Sequence, residues 1–410
     1  MRKAAQVLKE VHFNCKAPIA LLFIAFTLVS RSTAAVIAAG EQITLHSEVL
    51  GEDRTIFVAL PTTYKSGTER YPVLYVTDAQ WHFPHSWTTA QFLARNGIIP
   101  EMIVIGVTNP DRTHDLYATQ ADFREGDRVI PFPRSGNADQ FLEFIAKELI
   151  PWTEKSYRAS ELRILAGHSA GGNFALHAIR RKPGLFQAVM VASPWLAWDN
   201  RKELKELVPF LASSQPHLRA LFLTSADEGV EMNADIDALK AALKARHGSA
   251  LRWSARSYPD ETHDSTVIKS YYDGLRMIFA GYDYPRDPKT NLLVGSLADV
   301  KSHFAKLGEQ LGVPLEPPER IVNELGYQHL QTGRSELAIA AFRFNVEQHP
   351  QSSNAWDSLG EGLERRGEAP EALASYRKAV ALAEAQQEPN LDTLRKHLSR
   401  LDGNQKQPPH

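Results

Sequence analysis

A chain of 410 residues exceeds what one hydrophobic core usually supports, so a large domain with a smaller one, or two of similar size, is the expectation. With 43% hydrophobic residues, 23% charged residues and a formal net charge of −2, the composition is that of an ordinary globular protein. Without a basic excess there is no bulk field to neutralise phosphates, which argues against a nucleic-acid partner.

The first 35 residues differ from the rest. Arg2, Lys3, Lys9 and Lys16 precede an uncharged apolar run from Ala17 to Val29, and Ser32-Thr33-Ala34-Ala35 follows with the small side chains that suit signal-peptidase cleavage. The run is short for a permanent membrane span. Residues 1–35 therefore read as a bacterial-type signal peptide, which predicts a secreted or periplasmic protein with no membrane attachment after cleavage; an uncleaved anchor is the rival reading. Cys15 is the only cysteine and lies before the apolar run. Cleavage would leave no thiol, and with it no disulfide, no cysteine nucleophile and no thiolate-bound metal.

From Glu41 the pattern turns extended. Ile43-Thr44-Leu45 and Arg54 to Leu60 flank Gly51-Glu52-Asp53 as a hairpin. Pro72 to Thr77 and Met102 to Val107 are nearly all apolar, as strands buried on both faces of a parallel sheet are. A helix is expected near Trp87 to Arg95 between them. Residues 108–136 are polar, bear Pro and Gly, and read as a long functional loop. An apolar stripe from Phe141 to Ile150 predicts a helix leading into the strand Leu162 to Ala166. Further buried strands are expected at Gln187–Ala192, Leu218–Thr224 and Leu251–Tyr258, with helices from Met232 to about Lys244 and through Tyr271 to Phe279. Strands alternating with helices predict an α/β fold, with a mostly parallel sheet and flanking helices, over residues 41–280.

Gly167-His168-Ser169-Ala170-Gly171 sits between a strand and a helix, the context a nucleophile elbow requires. A serine hydroxyl needs a base to take its proton and a third group to hold that base. His263, in the polar loop after the last strand, is the best-placed downstream histidine. His177 and His168 read as packing residues. The acid is expected after the penultimate strand, where Glu228 is the first choice and Asp227 the second. An oxyanion hole would use the N–H of Ala170 and that of Ala79 or Gln80. Trp81, Phe83, Trp195 and Trp198 either line an aromatic pocket beside Ser169 or belong to the core. Arg112 and His114 either meet an anionic substrate or face water. The chain carries no phosphate loop, HExxH or calcium loop, so no cofactor or metal is expected.

Residues 281–320 change texture and read as a linker or docking segment, with a short helical piece expected near Leu297 to Leu311. Beyond them Leu325-Gly326, Ala338 and Phe342 recur as Leu359-Gly360, Ala372 and Tyr376 with a period of 34, the spacing of TPR helix pairs. Residues 321–401 are accordingly expected to be a small all-α TPR domain, with a capping helix from Leu391 to Leu401.

Tyr71 to Asp78, Arg112-Thr113-His114-Asp115, Phe141 to Pro151, Gly167 to Gly172 and Ser193-Pro194-Trp195 together resemble the putative esterase family of α/β-hydrolases, which includes esterase D, enterobactin and salmochelin esterases and feruloyl esterases. The resemblance spans roughly residues 41–280. It implies a serine carboxylic-ester hydrolase acting on a small-molecule ester, with Ser169 and His263 in the triad and Glu228 aligned with the family's acid. The family has Gly where this chain has Ala79. Two other functions fit the same residues: a TPR-led interaction protein, binding a partner or itself, with a silent hydrolase domain, and an acyltransferase using the same triad.

Overall fold

The alternation of apolar residues within the strands gives the main sheet a core on each face. The computed structural model describes residues 40–65, 67–125, 128–213, 217–246 and 251–405; the expected signal peptide lies outside the described residues. Strands β1 (Glu41–Ser47) and β2 (Glu52–Ala59) form the expected antiparallel hairpin. β3 (Tyr71–Val76) is buried at every position and runs into α1 (Ala79–Arg95). That helix begins two turns earlier than its sequence suggests. Pro84 lies inside it, where it removes one hydrogen-bond donor, but His82, Phe83, Ser86, Ala90 and Leu93 supply a buried stripe that holds the first turns in place.

β4 (Ile103–Val107) follows. The stretch expected to be a long loop contains a short helix, α2 (Arg112–Leu116), and a two-stranded ribbon of β5 (Phe123–Glu125) and β6 (Arg128–Ile130). Next, α3 (Ala138–Phe144) and α4 (Ile150–Ser156) are joined through a π-helical turn at Ile145–Leu149. β7 (Ala159–His168), α5 (Ala170–Arg181), β8 (Ala188–Ala192), α6 (Trp198–Ala212), β9 (Ala220–Ala226), α7 (Gly229–Lys244), β10 (Arg252–Tyr258) and α8 (Thr266–Ile278) complete the alternating pattern.

The main sheet has the order β1-β2-β4-β3-β7-β8-β9-β10. β2 pairs antiparallel with both of its neighbours, and every later pairing is parallel. Because side chains alternate along a strand, Val73, Tyr75, Leu165, Val189 and Leu221 fill one core while Leu74, Val76, Ile164, Met190 and Phe222 fill the other. The turns and loops at the C-terminal ends of the parallel strands carry Asp78, Ser169, Ser193, Glu228 and His263.

α9 (Leu297–Leu311) opens with a capping box between Ser296 and Asp299. Its stripe of Val300, Phe304, Leu307 and Leu311 is buried in the same core as Leu74, Leu162, Ile164 and Phe279. Residues 281–320 thus contribute a helix to the sheet's own core. α10 (Glu319–Gln331) adds Ile321 and Leu325 to it, and then pairs with α11 (Ser335–Gln348). α12 (Ser353–Arg366), α13 (Ala369–Gln386) and α14 (Leu391–Gln405) end the described chain. A Cβ on Gly360 would lie 2.7 Å from the Tyr376 ring, and one on Gly326 would overlap Phe342, so the 34-residue pattern marks two places where helices approach too closely for a side chain. Among the described residues no helix is long and apolar enough to cross a membrane.

Candidate active site

At the elbow, small residues permit a turn that a larger side chain would block. A Cβ on Gly167 would collide with the Gly171 carbonyl, and one on Gly171 with the Thr77 hydroxyl. Between them Ser169 adopts φ 57° and ψ −117°, a sparsely populated conformation that costs on the order of 1–3 kcal/mol. Three backbone hydrogen bonds hold it there: Ser169 N–H donates to the Ala192 carbonyl at 3.0 Å, and the Ser169 carbonyl accepts from Asn173 and Trp195, each at 3.0 Å. The hydroxyl does not cap the helix that follows, so it is uncommitted along the backbone.

His263 comes from the loop between β10 and α8. Its Nδ1 donates to Glu228 Oε1 at 2.9 Å, which leaves Nε2 of the neutral ring as the acceptor. The Glu228 side chain is 1% exposed and the imidazole 30%. Burial works to raise the Glu228 pKa, but the hydrogen bond from His263, helped by the Ser193 hydroxyl, prevails and holds the carboxyl below its ordinary value. Glu228 Oε2 and the Ser193 hydroxyl are both buried without a hydrogen bond of good geometry. Asp227 is exposed, and its backbone N–H donates to the Glu261 carbonyl at 3.3 Å. Of the two carboxylates, the one facing the imidazole is therefore Glu228.

Ser193, at the end of β8, has φ 42°. It leads into Trp195, whose N–H binds the Ser169 carbonyl and whose ring stands edge-on to His263 at 6.5 Å and to Phe123 at 5.8 Å. Trp195 is thus bonded to Ser169 through its backbone and packed near His263 through its ring. His168 donates from Nε2 to the His263 carbonyl at 2.7 Å. Burial, with the neighbouring His263 charge, pushes its pKa down to about 4.

Ala79 and Ala170 are the first residues of α1 and α5, so their N–H groups have no acceptor within the helix. The Ala79 methyl fits because a Cβ on Gly106 opposite would come within 2.7 Å of it, and Gly106 has none. The positive φ of this turn falls on Asp78, at 53°, which explains why glycine is dispensable at Ala79.

The Asp78 side chain is fully buried and receives two hydrogen bonds from Arg112, at 2.9 and 3.1 Å. The guanidinium also lies 5.1 Å over the ring of Trp81, which is 57% exposed. Gln80, Trp81, Thr108, Asn109, Pro110 and Arg112 line an open cleft of about 260 Å³ beside Ala79. Trp198 sits elsewhere. It stacks on Tyr117 at 4.2 Å and donates its Nε1–H to the Thr119 carbonyl at 2.9 Å, which makes it a packing residue and not a wall beside Ser169. His114 is turned toward Asp115, at 3.0 Å, and His177 has its ring nitrogens 3.0 Å from Glu203 and from Asp139.

Sequence reasoning passed over a histidine cluster under the elbow. His82 Nδ1 and His85 Nε2 are 3.0 Å apart, and the His82 ring packs edge-on to His168 at 5.3 Å. Burial pushes His82 down to about 3 and His85 down to about 4. The i,i+3 spacing in Trp81-His82-Phe83-Pro84-His85 would put both rings on one helical face, but Pro84 hid the helix. Elsewhere, His168, His263 and Asp264 bring potential ligand atoms within 4.8 Å of one another. His263 Nδ1 is committed to Glu228 and His168 Nε2 to a carbonyl, so these nitrogens serve the hydrogen bonds described above.

A strained serine between a parallel strand and its helix, with an acid and a histidine on loops after later strands, defines an α/β-hydrolase-like protein. The chain belongs to the family described as Putative esterase, whose model matches residues 47–260, and it is an ester hydrolase. The siderophore enterobactin esterase of Emericella nidulans is 31% identical over 208 residues, which are 43% of this chain and 68% of that protein. The ferri-bacillibactin esterase BesA of Bacillus subtilis is 28% identical over 248 residues, 56% of this chain and 78% of its own. The crystal structure of an IroE-like serine hydrolase from Shewanella oneidensis superposes with a TM-score of 0.63 at 27% identity, covering 75% of this chain and 99% of that one.

Proposed function

We propose that the protein hydrolyses carboxylic esters through an acyl-enzyme on Ser169, with His263 as base and Glu228 as the acid that orients it. The observation that carries this reading is the 2.9 Å hydrogen bond from His263 Nδ1 to a buried carboxylate, on loops that follow the elbow in the order serine, acid, histidine. Nε2 takes the Ser169 proton as Oγ attacks the ester carbonyl. The N–H groups of Ala170 and Ala79 stabilise the oxyanion, and the imidazolium is favoured by ionised Glu228. Collapse expels the alcohol with the proton from Nε2, and water activated by the same nitrogen releases the acid.

Siderophore esters come first among the candidate substrates, a reading supported by relatives named as an enterobactin esterase and a ferri-bacillibactin esterase. Arg112 and the exposed face of Trp81 offer a cation and an aromatic surface that suit an acidic, ring-bearing group. The helices from α10 to α14 form a TPR pair with a capping helix, supported by the 34-residue period and the close approaches at Gly326 and Gly360. The apolar run near the start is a secretory signal that delivers the enzyme to the periplasm or beyond.

The test is a panel of catecholate siderophore esters, feruloyl sugars and p-nitrophenyl butyrate, assayed with Ser169→Ala alongside. The account expects turnover to fall by at least about 10³-fold in the variant. It also expects kcat/KM to be highest for the siderophore esters. A variant that keeps wild-type turnover contradicts the role of Ser169, and a preference for the butyrate contradicts the substrate class.

A further inference from the structure

His168 directly precedes Ser169, yet its side chain serves the other end of the site. It is buried, and its Nε2 lies 2.7 Å from the main-chain carbonyl of His263. A carbonyl oxygen can only accept, so Nε2 must carry the proton. His263 is held at its ring by Glu228 and at its backbone by His168. The two rings also pack against each other, with centroids 4.8 Å apart. The His168 ring also packs edge-on against His82, itself hydrogen-bonded to His85.

We infer that His168 is a positioning residue for the base: its Nε2–H fixes the His263 main chain so that the Glu228 hydrogen bond presents His263 Nε2 to Ser169. This rests on the reading of His263 as base. It gives the residue before the nucleophile a function that the elbow itself does not require, since any side chain satisfies the backbone turn at that position. The requirement is specific to one atom. A glutamine reaches the place of Nε2 with its amide nitrogen, whereas an asparagine of similar polarity reaches only the place of Nδ1.

The experiment compares His168→Gln and His168→Asn with Ser169→Ala and His263→Ala, using p-nitrophenyl butyrate. The inference predicts that His168→Gln keeps kcat within about threefold of wild type. His168→Asn should lose about 10–100-fold in kcat with KM within about twofold, the pattern of an interaction needed for positioning and not for binding. If the two His168 variants fall together, or neither falls, while Ser169→Ala and His263→Ala are inactive, the inference is overturned and the triad stands. If His263→Ala is as active as wild type, the triad reading fails first. Nitrogen-15 chemical shifts of wild-type His168 provide a readout that does not depend on variants folding: the Nε2–H tautomer is expected, and the Nδ1–H tautomer contradicts the assignment.

Discussion

Acidification should destabilise this protein through its largely buried histidine cluster. Burial holds His85 at about 4, where an unfolded chain has a value of 6.5. The folded-state pKa is depressed, so the stability associated with the neutral ring is complete above pH 6.5 and is lost as pH falls toward 4. At pH 5.0 the unfolded histidine is almost wholly protonated and the folded one almost wholly neutral. The linkage relation then gives a loss of about 2 kcal/mol between pH 7.5 and 5.0 from this residue. His82 and His168 are shifted in the same direction, but the three rings adjoin one another, so their effects do not add simply. The assay is urea unfolding of wild type and His85→Gln at both pH values. Subtracting the variant's pH dependence cancels the other titrating groups, including exposed His46, whose pKa is raised by Asp53. Wild type should lose about 2 kcal/mol more than the variant. Parallel losses in the two proteins would refute the claim that His85 is held neutral by its surroundings.

Three other variants test particular contacts. Glu228→Gln should lower kcat on the order of 10²–10⁴-fold, because the amide no longer enforces the Nδ1–H tautomer of His263, and a kcat within twofold of wild type would remove Glu228 from the triad. With the folded carboxyl held below 4.5, that residue's stabilisation is present above pH 4.5 and lost as pH drops further, so the variant's melting temperature should depend less on pH below 4.5. Phe304→Ala should cost about 3–5 kcal/mol in urea unfolding, since its ring is fully buried with the sheet's core residues; a cost below about 1 kcal/mol would show α9 to be peripheral. Arg112→Lys keeps the charge but cannot reproduce the paired hydrogen bonds to buried Asp78, so KM should rise at least about fivefold for a catechol-bearing ester and less than twofold for p-nitrophenyl butyrate.

The sheet was legible because parallel strands buried on both faces are nearly continuous apolar runs, and Pro72–Thr77 and Met102–Val107 have no other reading. Ser169 stood out because the strained turn leaves no room for a side chain two residues to either side, where the sequence has Gly167 and Gly171. The choice between Asp227 and Glu228 was not legible in the same way. Adjacent residues of one turn point in different directions, so the sequence favours Glu228 only through its alignment with the family's acid; in the fold it turns inward to His263 while Asp227 faces solvent. Trp198 could be placed in the core only once Tyr117, from a distant segment, was seen stacked on it. Pro84 concealed the first turns of α1 and the histidines on them, whereas Val300, Phe304, Leu307 and Leu311 recur at helical spacing and made the helix within residues 281–320 legible despite the prolines around it. The His168 hydrogen bond to a main-chain carbonyl 95 residues away has no sequence signature at all.

The central claim is that Ser169 carries the acyl group, and intact-protein mass spectrometry during turnover tests it most directly. Wild type quenched with acid within the first turnovers of p-nitrophenyl butyrate should gain the mass of one butyryl group, located by peptide mapping on Ser169. Ser169→Ala should gain none. An adduct on another residue, or steady hydrolysis by the alanine variant, would contradict the account.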